Sequence, residues 1–143
     1  MSSLNDIFSI SGSALTAETM RLTTSASNMS NANVVTGSAD DTYKARYPIF
    51  STVQEQAVNQ FNSQNLSGGV EVTDVYESTA DPVKRYEPHH PQADKDGFVY
   101  APNINSVGEM ANIISASRSY EMSVNVLNTA KQLIQQTLRL GEG

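Results

Sequence analysis

The chain has no cysteine and no tryptophan among its 143 residues. Without thiols there are no disulfides, no thiolate nucleophile and no Cys-ligated metal. The compartment is left open on that ground, because a cysteine-free chain tolerates any redox condition. Long apolar runs are also missing. None approaches the roughly 20 residues that span a bilayer, and mean hydropathy is -0.36, so direct membrane insertion is not expected. The first Arg or Lys is Arg21, so the start lacks the basic n-region of a conventional secretory signal. Positive charge is scarce throughout. Nine Lys and Arg stand against fifteen Asp and Glu, a net charge of -6, and only Lys84 and Arg85 adjoin among them. Nucleic acid is therefore not expected as a partner, because that binding rests on Lys and Arg neutralising phosphates.

The charges that exist are unevenly placed. Residues 1–36 hold only Asp6, Glu18 and Arg21, whereas Gly37 to Ser106 carries ten acids and five bases. From Val107 onward charge is sparse again. This divides the chain into an N-terminal helix with an Asn-rich end (1–36), a middle β-containing insertion (37–106) and a C-terminal helix (107–143).

Both ends show helical periodicity. In the C-terminal stretch Ile113, Tyr120, Val124, Leu127, Ile134 and Leu138 step by alternating threes and fours once Ser117 and Lys131 are filled in. That is the seam pattern of a coiled coil. Ile114, Val126, Ala130 and Leu133 flank it, so the apolar face is wider than a two-stranded contact needs. The N-terminal stretch repeats the pattern with Leu4, Phe8, Leu15, Leu22 and Met29, and Ile7, Ile10, Ala14 and Ala17 form a second stripe. Helices are expected near 4–30 and 107–138, spanning roughly 40 and 48 Å. The first is intrinsically weak, since Ser and Thr supply 12 of residues 2–30 and compete for backbone hydrogen bonds in non-helical conformations. A flexible leader peptide is the competing reading of that composition.

The middle carries short β signals. Val70, Val72 and Tyr76 alternate with polar positions after Gly68-Gly69, although Val75 breaks the pattern. Tyr43 to Val53 reads as a further strand, with Pro48 pointing to an edge or a bulge. Asp96-Gly97 is a turn signal before Phe98-Val99-Tyr100, and Pro102 closes that segment. Asn105 or Ser106 is a candidate cap for the last helix, and Ser106 with Glu109 fits a capping box. The expected fold is mainly α, with long terminal helices whose coiled-coil stripes are buried against each other or against other subunits, and a small β-rich insertion of two to four strands.

Constellations for catalysis are poor. The only histidines, His89 and His90, adjoin each other between Pro88 and Pro91, and neighbours in extended chain point apart. Asp94 and Asp96 lie close enough in sequence to suggest a divalent ion, but a polar, Pro-bounded loop explains the stretch as well. Asp94-Lys-Asp96-Gly97 resembles the opening of a calcium loop, yet the bidentate acid required further along would fall in an apolar strand. No phosphate cradle or nucleophile elbow is present in the sequence. The expectation is no enzyme, no cofactor and no metal.

Asn28, Asn31 and Asn33 crowd the end of the first helix in the string ASNMSNANV. Amides there cap helix ends, tolerate left-handed backbone and bond across to neighbouring chain. The longer string ASNMSNANVVTG resembles the Asn-rich motif of the axial proteins of the bacterial flagellum. EMANIISASRSYEMSVNVLNTAKQLIQQTL resembles their C-terminal helix motif, a Ser-Arg-x-Tyr core followed by Val-Leu-Asn-x-x-Lys. HPQADKDGFVYAPNINSVGEM is similar to the segment that distinguishes the rod protein C family of the proximal rod. Together these cover both termini and the stretch from about 80 to 106. The chain departs from the pattern at Met29-Ser30, where Ile-Ala is more common, at Val34 for Thr, and at Gly108 for an acid.

The resemblance implies a structural subunit of the proximal rod, the drive shaft of the flagellar basal body, exported through the type III apparatus without a cleaved signal peptide. It places the protein in the rod within the periplasmic space. The implied partners are the other proximal rod proteins, the distal rod protein, the rotor-ring and export-gate base, and the flagellar type III export apparatus. On that basis Leu4, Phe8, Leu15 and Leu22 are expected to pack against Tyr120, Val124, Leu127, Ile134 and Leu138. Asn28, Asn31 and Asn33 are expected to fix the exit from the first helix and to meet a neighbouring subunit, and Arg118 and Tyr120 to make axial contacts. A coiled-coil adaptor and a filament subunit of a related secretion apparatus stand as the alternatives.

Overall fold

The computed structural model describes the backbone of residues 2–54 and 68–141, and the side chains of 6–53 and 68–139. Along the chain the elements are α1 (Ser2–Asn31), β1 (Arg46–Gln54), β2 (Gly68–Glu77), β3 (Val83–Tyr86), β4 (Phe98–Ala101) and α2 (Ser106–Gly141). The strands form two separate antiparallel sheets of two strands each, β1 with β2 and β3 with β4. Among the described residues no helix is long and apolar enough to cross a membrane.

α1 is continuous despite its Ser and Thr content because the hydroxyls turn back on their own helix. Thr16, Thr19 and Thr23 donate to the carbonyls of Gly12, Leu15 and Thr19 at 3.2, 2.7 and 2.8 Å. The groups that would compete with helix are thereby absorbed by it, and each threonine turns its methyl outward. At the far end the Asn31 side-chain amide donates to the Ser27 carbonyl at 2.8 Å, one turn back on its own helix.

α1 and α2 pack along each other. The Arg21 guanidinium reaches the Asn112 side-chain carbonyl, while Tyr120 lies beside Leu15, Thr16 and Thr19, so the helices run antiparallel. The spans of 30 and 36 residues correspond to about 45 and 54 Å.

The expectation of a mainly α, coiled-coil chain with a small β insertion is corrected by this structure. The described residues are mixed α/β, about 50% helical and 22% strand. Two physical reasons account for the difference. First, β1 and β2 are 9 and 10 residues long and pack on α1, so that helix is shared between a helix and a sheet. Second, the large seam residues are not the ones that close the helix pair. Buried on α2 are Glu109, Ala116 and Ala130, at multiples of seven, a stripe rotated by roughly 60° from the Tyr120–Leu127–Ile134 seam at 100° per residue. Ala17 lies buried on α1. Small residues let the backbones approach, and the bulky ones fall to one flank.

β1 and β2 pair from Arg46↔Glu77 to Gln54↔Gly68, with a bulge between Ile49 and Phe50, one residue beyond Pro48. β3 was not anticipated: all four of its residues are exposed, so no alternation marks it. It pairs with β4 from Val83↔Ala101 to Tyr86↔Phe98. Thr36 ties into β4 by exchanging two backbone hydrogen bonds with Tyr100, each 2.9 Å. Val99, fully buried, anchors this small sheet.

Candidate assembly surface

Asn28 joins α1 to β1. It is fully buried, and its side-chain amide reads both backbone groups of Arg46: Nδ2 donates to the Arg46 carbonyl at 2.8 Å, and Oδ1 accepts from the Arg46 N–H at 2.9 Å. Oδ1 also accepts from the Tyr43 hydroxyl at 3.1 Å, which lies 3.0 Å from the Ser27 hydroxyl. An amide has the same donor and acceptor pair as a peptide group. Asn28 therefore acts as one residue of a missing strand, fixing where β1 begins relative to the helix end. Asn31 bonds within its own helix, and Asn33 is exposed.

A second link runs from β1 to the start of α2. Tyr47 lies beside Glu109, and its pKa is raised, first by burial and then by the Glu109 carboxylate. Glu109 is 3% exposed, and its Oε2 has no hydrogen-bond partner among the described residues. This corrects the capping-box expectation. Asn105 is the cap, its Oδ1 accepting from Val107 N and Gly108 N at 3.1 Å each. Glu109 turns inward to Tyr47. The sequence signal for this role was present, a lone acid in the first turn of a sparsely charged helix, but the capping pattern accounted for it equally well.

The loop between β3 and β4 is organised by Asp94. Its Oδ1 accepts from Phe98 N at 2.8 Å and Asp96 N at 2.9 Å, and Oδ2 from the Tyr100 hydroxyl at 3.3 Å. The Phe98 N–H is the leading cause of a lowered Asp94 pKa, joined by Asp96 N–H, Tyr100 and the Lys84 cation and opposed by burial. Gly97 turns the chain at φ 81°, where an added Cβ would strike Tyr86 and Pro88. His90 Nδ1 accepts from Gln92 N at 3.1 Å. The Asp94 oxygens are committed to backbone and hydroxyl donors, and no group of three metal-ligating side chains occurs among the described residues. Lys84 lies 3.9 Å from the centre of the Phe98 ring, and Tyr86 meets Phe98 edge-on at 5.2 Å.

The remaining predicted residues lie on the helices. Leu4 falls outside the described side chains. Phe8, Leu15 and Leu22 are half-buried, as are Val124, Leu127 and Ile134. Tyr120 and Leu138 are exposed, Leu138 at 60%. Arg118 is exposed and joins no ion pair among the described residues. Among the described residues the buried apolar ones are Ala17, Ala32, Ala45, Ala101, Ala116, Ala130 and Val99. No Leu, Ile, Phe, Met or Tyr is among them, while Ile114, Met122, Val126 and Leu133 stand exposed along α2. Solitary exposed apolar residues are ordinary, but repeated ones along a helix mark a contact surface.

Comparison with known proteins accords with this surface. A family model described as "Flagellar basal body rod FlgEFG protein C-terminal" matches residues 95–140, from the Asp94 loop through α2. The flagellar basal-body rod protein FlgC of Escherichia coli O157:H7 is 45% identical, covering 97% of this chain and 98% of the relative. The same protein of Salmonella typhimurium strain LT2 is also 45% identical with the same coverage. That of Yersinia enterocolitica is 43% identical over 98% of this chain and 99% of its own. Identity at that level over nearly the whole length of both partners places this chain in the flagellar basal-body rod protein FlgC family.

Proposed function

We propose that the chain is a structural subunit of the proximal rod of the bacterial flagellar basal body. The observation that carries this is the Ala-lined interior: among the described residues every Leu, Ile, Phe, Met and Tyr is at least partly exposed, as in a part whose core is completed by neighbours. Burial of those faces at about 25 cal/mol per Å² is what drives assembly. Kinship with proteins named as flagellar basal-body rod proteins supports the same reading, and with it a structural role and no catalytic one. Its partners are other proximal rod proteins, the distal rod protein and the rotor-ring and export-gate base, reached through the type III export apparatus. Leu15, Leu22, Tyr120, Val124, Leu127 and Ile134, left part-exposed by the helix pair, complete their packing against neighbouring subunits. Asn28 and Asn31 fix the exit from α1, and Arg118, with no ion pair among the described residues, serves an axial contact.

The test is deletion and recovery. Cells lacking the gene are expected to be non-motile and to lack hooks, and the restored protein to copurify with isolated basal bodies. Motile cells with complete flagella after deletion refute the proposal.

A further inference from the structure

The β3–β4 sheet has one closed edge and one open edge. In an antiparallel pair, residues that bond across to the partner strand alternate with residues whose N–H and C=O point away from it. The Glu87 N–H donates to the Gly97 carbonyl at 2.9 Å, so Arg85 and Val83, at steps of two, turn toward β4. Lys84 and Tyr86 therefore turn outward, as do their partners Tyr100 and Phe98 on the far side. On β4 those outward groups are taken. Tyr100 exchanges both of its bonds with Thr36. The Phe98 carbonyl accepts from the Asp94 N–H, and the Phe98 N–H donates to the Asp94 carboxylate, each at 2.8 Å. On β3 no described residue bonds to the outward groups of Lys84 and Tyr86, and both residues are exposed. Pro82 and Pro88 stand at the next outward positions and lack an N–H, so the open row is confined to these two residues.

Elsewhere the chain blunts its sheet edges, which otherwise invite another strand. β1 is interrupted by Asn28 on Arg46, by Pro48 and by the bulge beyond it. On β2 the Val70 N–H donates to the Ser13 hydroxyl at 3.1 Å and the Val75 N–H to the Asp74 carboxylate at 2.7 Å. An edge lysine commonly guards against strand addition. Here the Lys84 ammonium is drawn across the sheet, 3.9 Å from the Phe98 ring centre and 5.7 Å from that of Tyr100. β3 is left as an edge that the backbone of another chain can extend.

We infer that the Lys84–Tyr86 edge of β3 receives an extended, acidic segment of a different protein as an added strand. Charge selects the class of segment. Lys84 and Arg85 are the only adjacent bases in the sequence, and Arg85 meets Glu87 no closer than 3.7 Å, both side chains being largely exposed. A carboxylate opposite Arg85 gains a cross-strand pair. A second copy is disfavoured. In the register that uses both outward residues of each β3, the two Arg85 side chains lie opposite each other, and like charges so placed are destabilising. Tyr86, 65% exposed and edge-on to Phe98, gives an apolar side chain of the incoming segment a surface to rest on.

The test is photo-crosslinking in whole cells whose only copy carries p-benzoylphenylalanine in place of Tyr86. The expected product is an adduct to a different polypeptide, with mass spectrometry placing the attachment in a segment that carries Asp or Glu. Lys84→Pro removes an outward N–H and spares the ladder to β4, so the adduct is expected to be lost. Lys84→Ala keeps that N–H and is expected to retain the adduct. Arg85→Glu leaves every backbone group in place but sets like charges opposite, and is expected to weaken the adduct at least about threefold. An adduct to a second copy, an adduct undiminished in Lys84→Pro or Arg85→Glu, or no adduct at all overturns the inference. None of these results touches the rod reading, which stands or falls on the deletion experiment.

Discussion

Asn28→Ala tests the joint on which the placement of β1 depends. The substitution removes an amide that holds the Arg46 carbonyl at 2.8 Å and the Arg46 N–H at 2.9 Å, in a position with no exposure. Two backbone groups lose their partners, and leaving such a group unsatisfied costs about 1–3 kcal/mol each. The Tyr43 hydroxyl is less affected because Ser27 stands 3.0 Å away. The expected loss at the junction is therefore about 2–6 kcal/mol, a large part of a typical domain's total stability of about 5–15 kcal/mol. The assay is amide hydrogen exchange at Arg46, whose N–H bonds to Asn28. A loss of 2 kcal/mol corresponds to roughly 30-fold faster exchange, at 1.36 kcal/mol per tenfold. Asn28→Asp is a sharper control: it keeps the acceptor for Arg46 N–H but sets a carboxylate against the Arg46 carbonyl, so it is expected to be no better than alanine. Exchange at Arg46 unchanged within about threefold in Asn28→Ala would show that the junction is held by something other than this amide.

Glu109→Gln removes the charge beside Tyr47 while keeping an acceptor. Spectrophotometric titration is then expected to show the Tyr47 midpoint falling toward, but not to, the ordinary value of about 10, since burial is the leading cause of its elevation. An unchanged midpoint would mean the two groups do not interact. The lowered Asp94 pKa fixes a sign for pH dependence. Its contribution to loop order is present above the ordinary carboxylate value of about 3.9 and is lost as pH falls through the folded value. Exchange at the Phe98 and Asp96 amides is expected to rise on acidification, and in Asp94→Asn to lose most of that pH dependence. A carboxylate at the half-buried Leu127 of α2 meets a desolvation cost that the exposed Lys131, one turn along, offsets only in part. Leu127→Asp is expected to abolish incorporation into the rod with secretion retained, and normal motility would rule out Leu127 as a packing residue.

Both helices were legible because their apolar positions repeat over many turns, which is the most durable pattern in a sequence. Their ends came within three residues of the prediction. The long hairpin was partly legible, since Val70, Val72 and Gly68-Gly69 announced β2 and Pro48 foreshadowed the irregularity at Ile49–Phe50. β3 was not. Val83-Lys-Arg-Tyr86 is short and exposed on every residue, so its pairing with β4 is set by the Asp94 loop and the turn at Gly97, not by any pattern of its own. The Asn28 amide was singled out by its string, but no spacing rule shows that it would pair with Arg46, eighteen residues away. Asp94 drew attention as a possible ligand. Its chemistry as an acceptor was legible, and its partners, donors within its own loop, were not.

The misplaced seam has a more general cause. A periodic stripe of large apolar residues reports what a helix buries once all its neighbours are in place, and nothing in the sequence says which of those neighbours belong to the same chain. In α2 the intrachain contact uses Ala116 and Ala130, whose small size makes them nearly silent in a hydrophobic pattern. Small residues permit close backbone approach, and close approach pushes Tyr120, Val124 and Leu127 to one flank and Met122, Val126 and Leu133 to the other. Each flank is then available to a different neighbour. A chain that used its large residues to close its own helix pair would be more stable alone and would have less surface left with which to assemble. The structure corrects the assignment of the whole wide stripe to a single helix–helix contact, and the part-exposed residues it leaves on α2 are the ones a neighbour would have to cover.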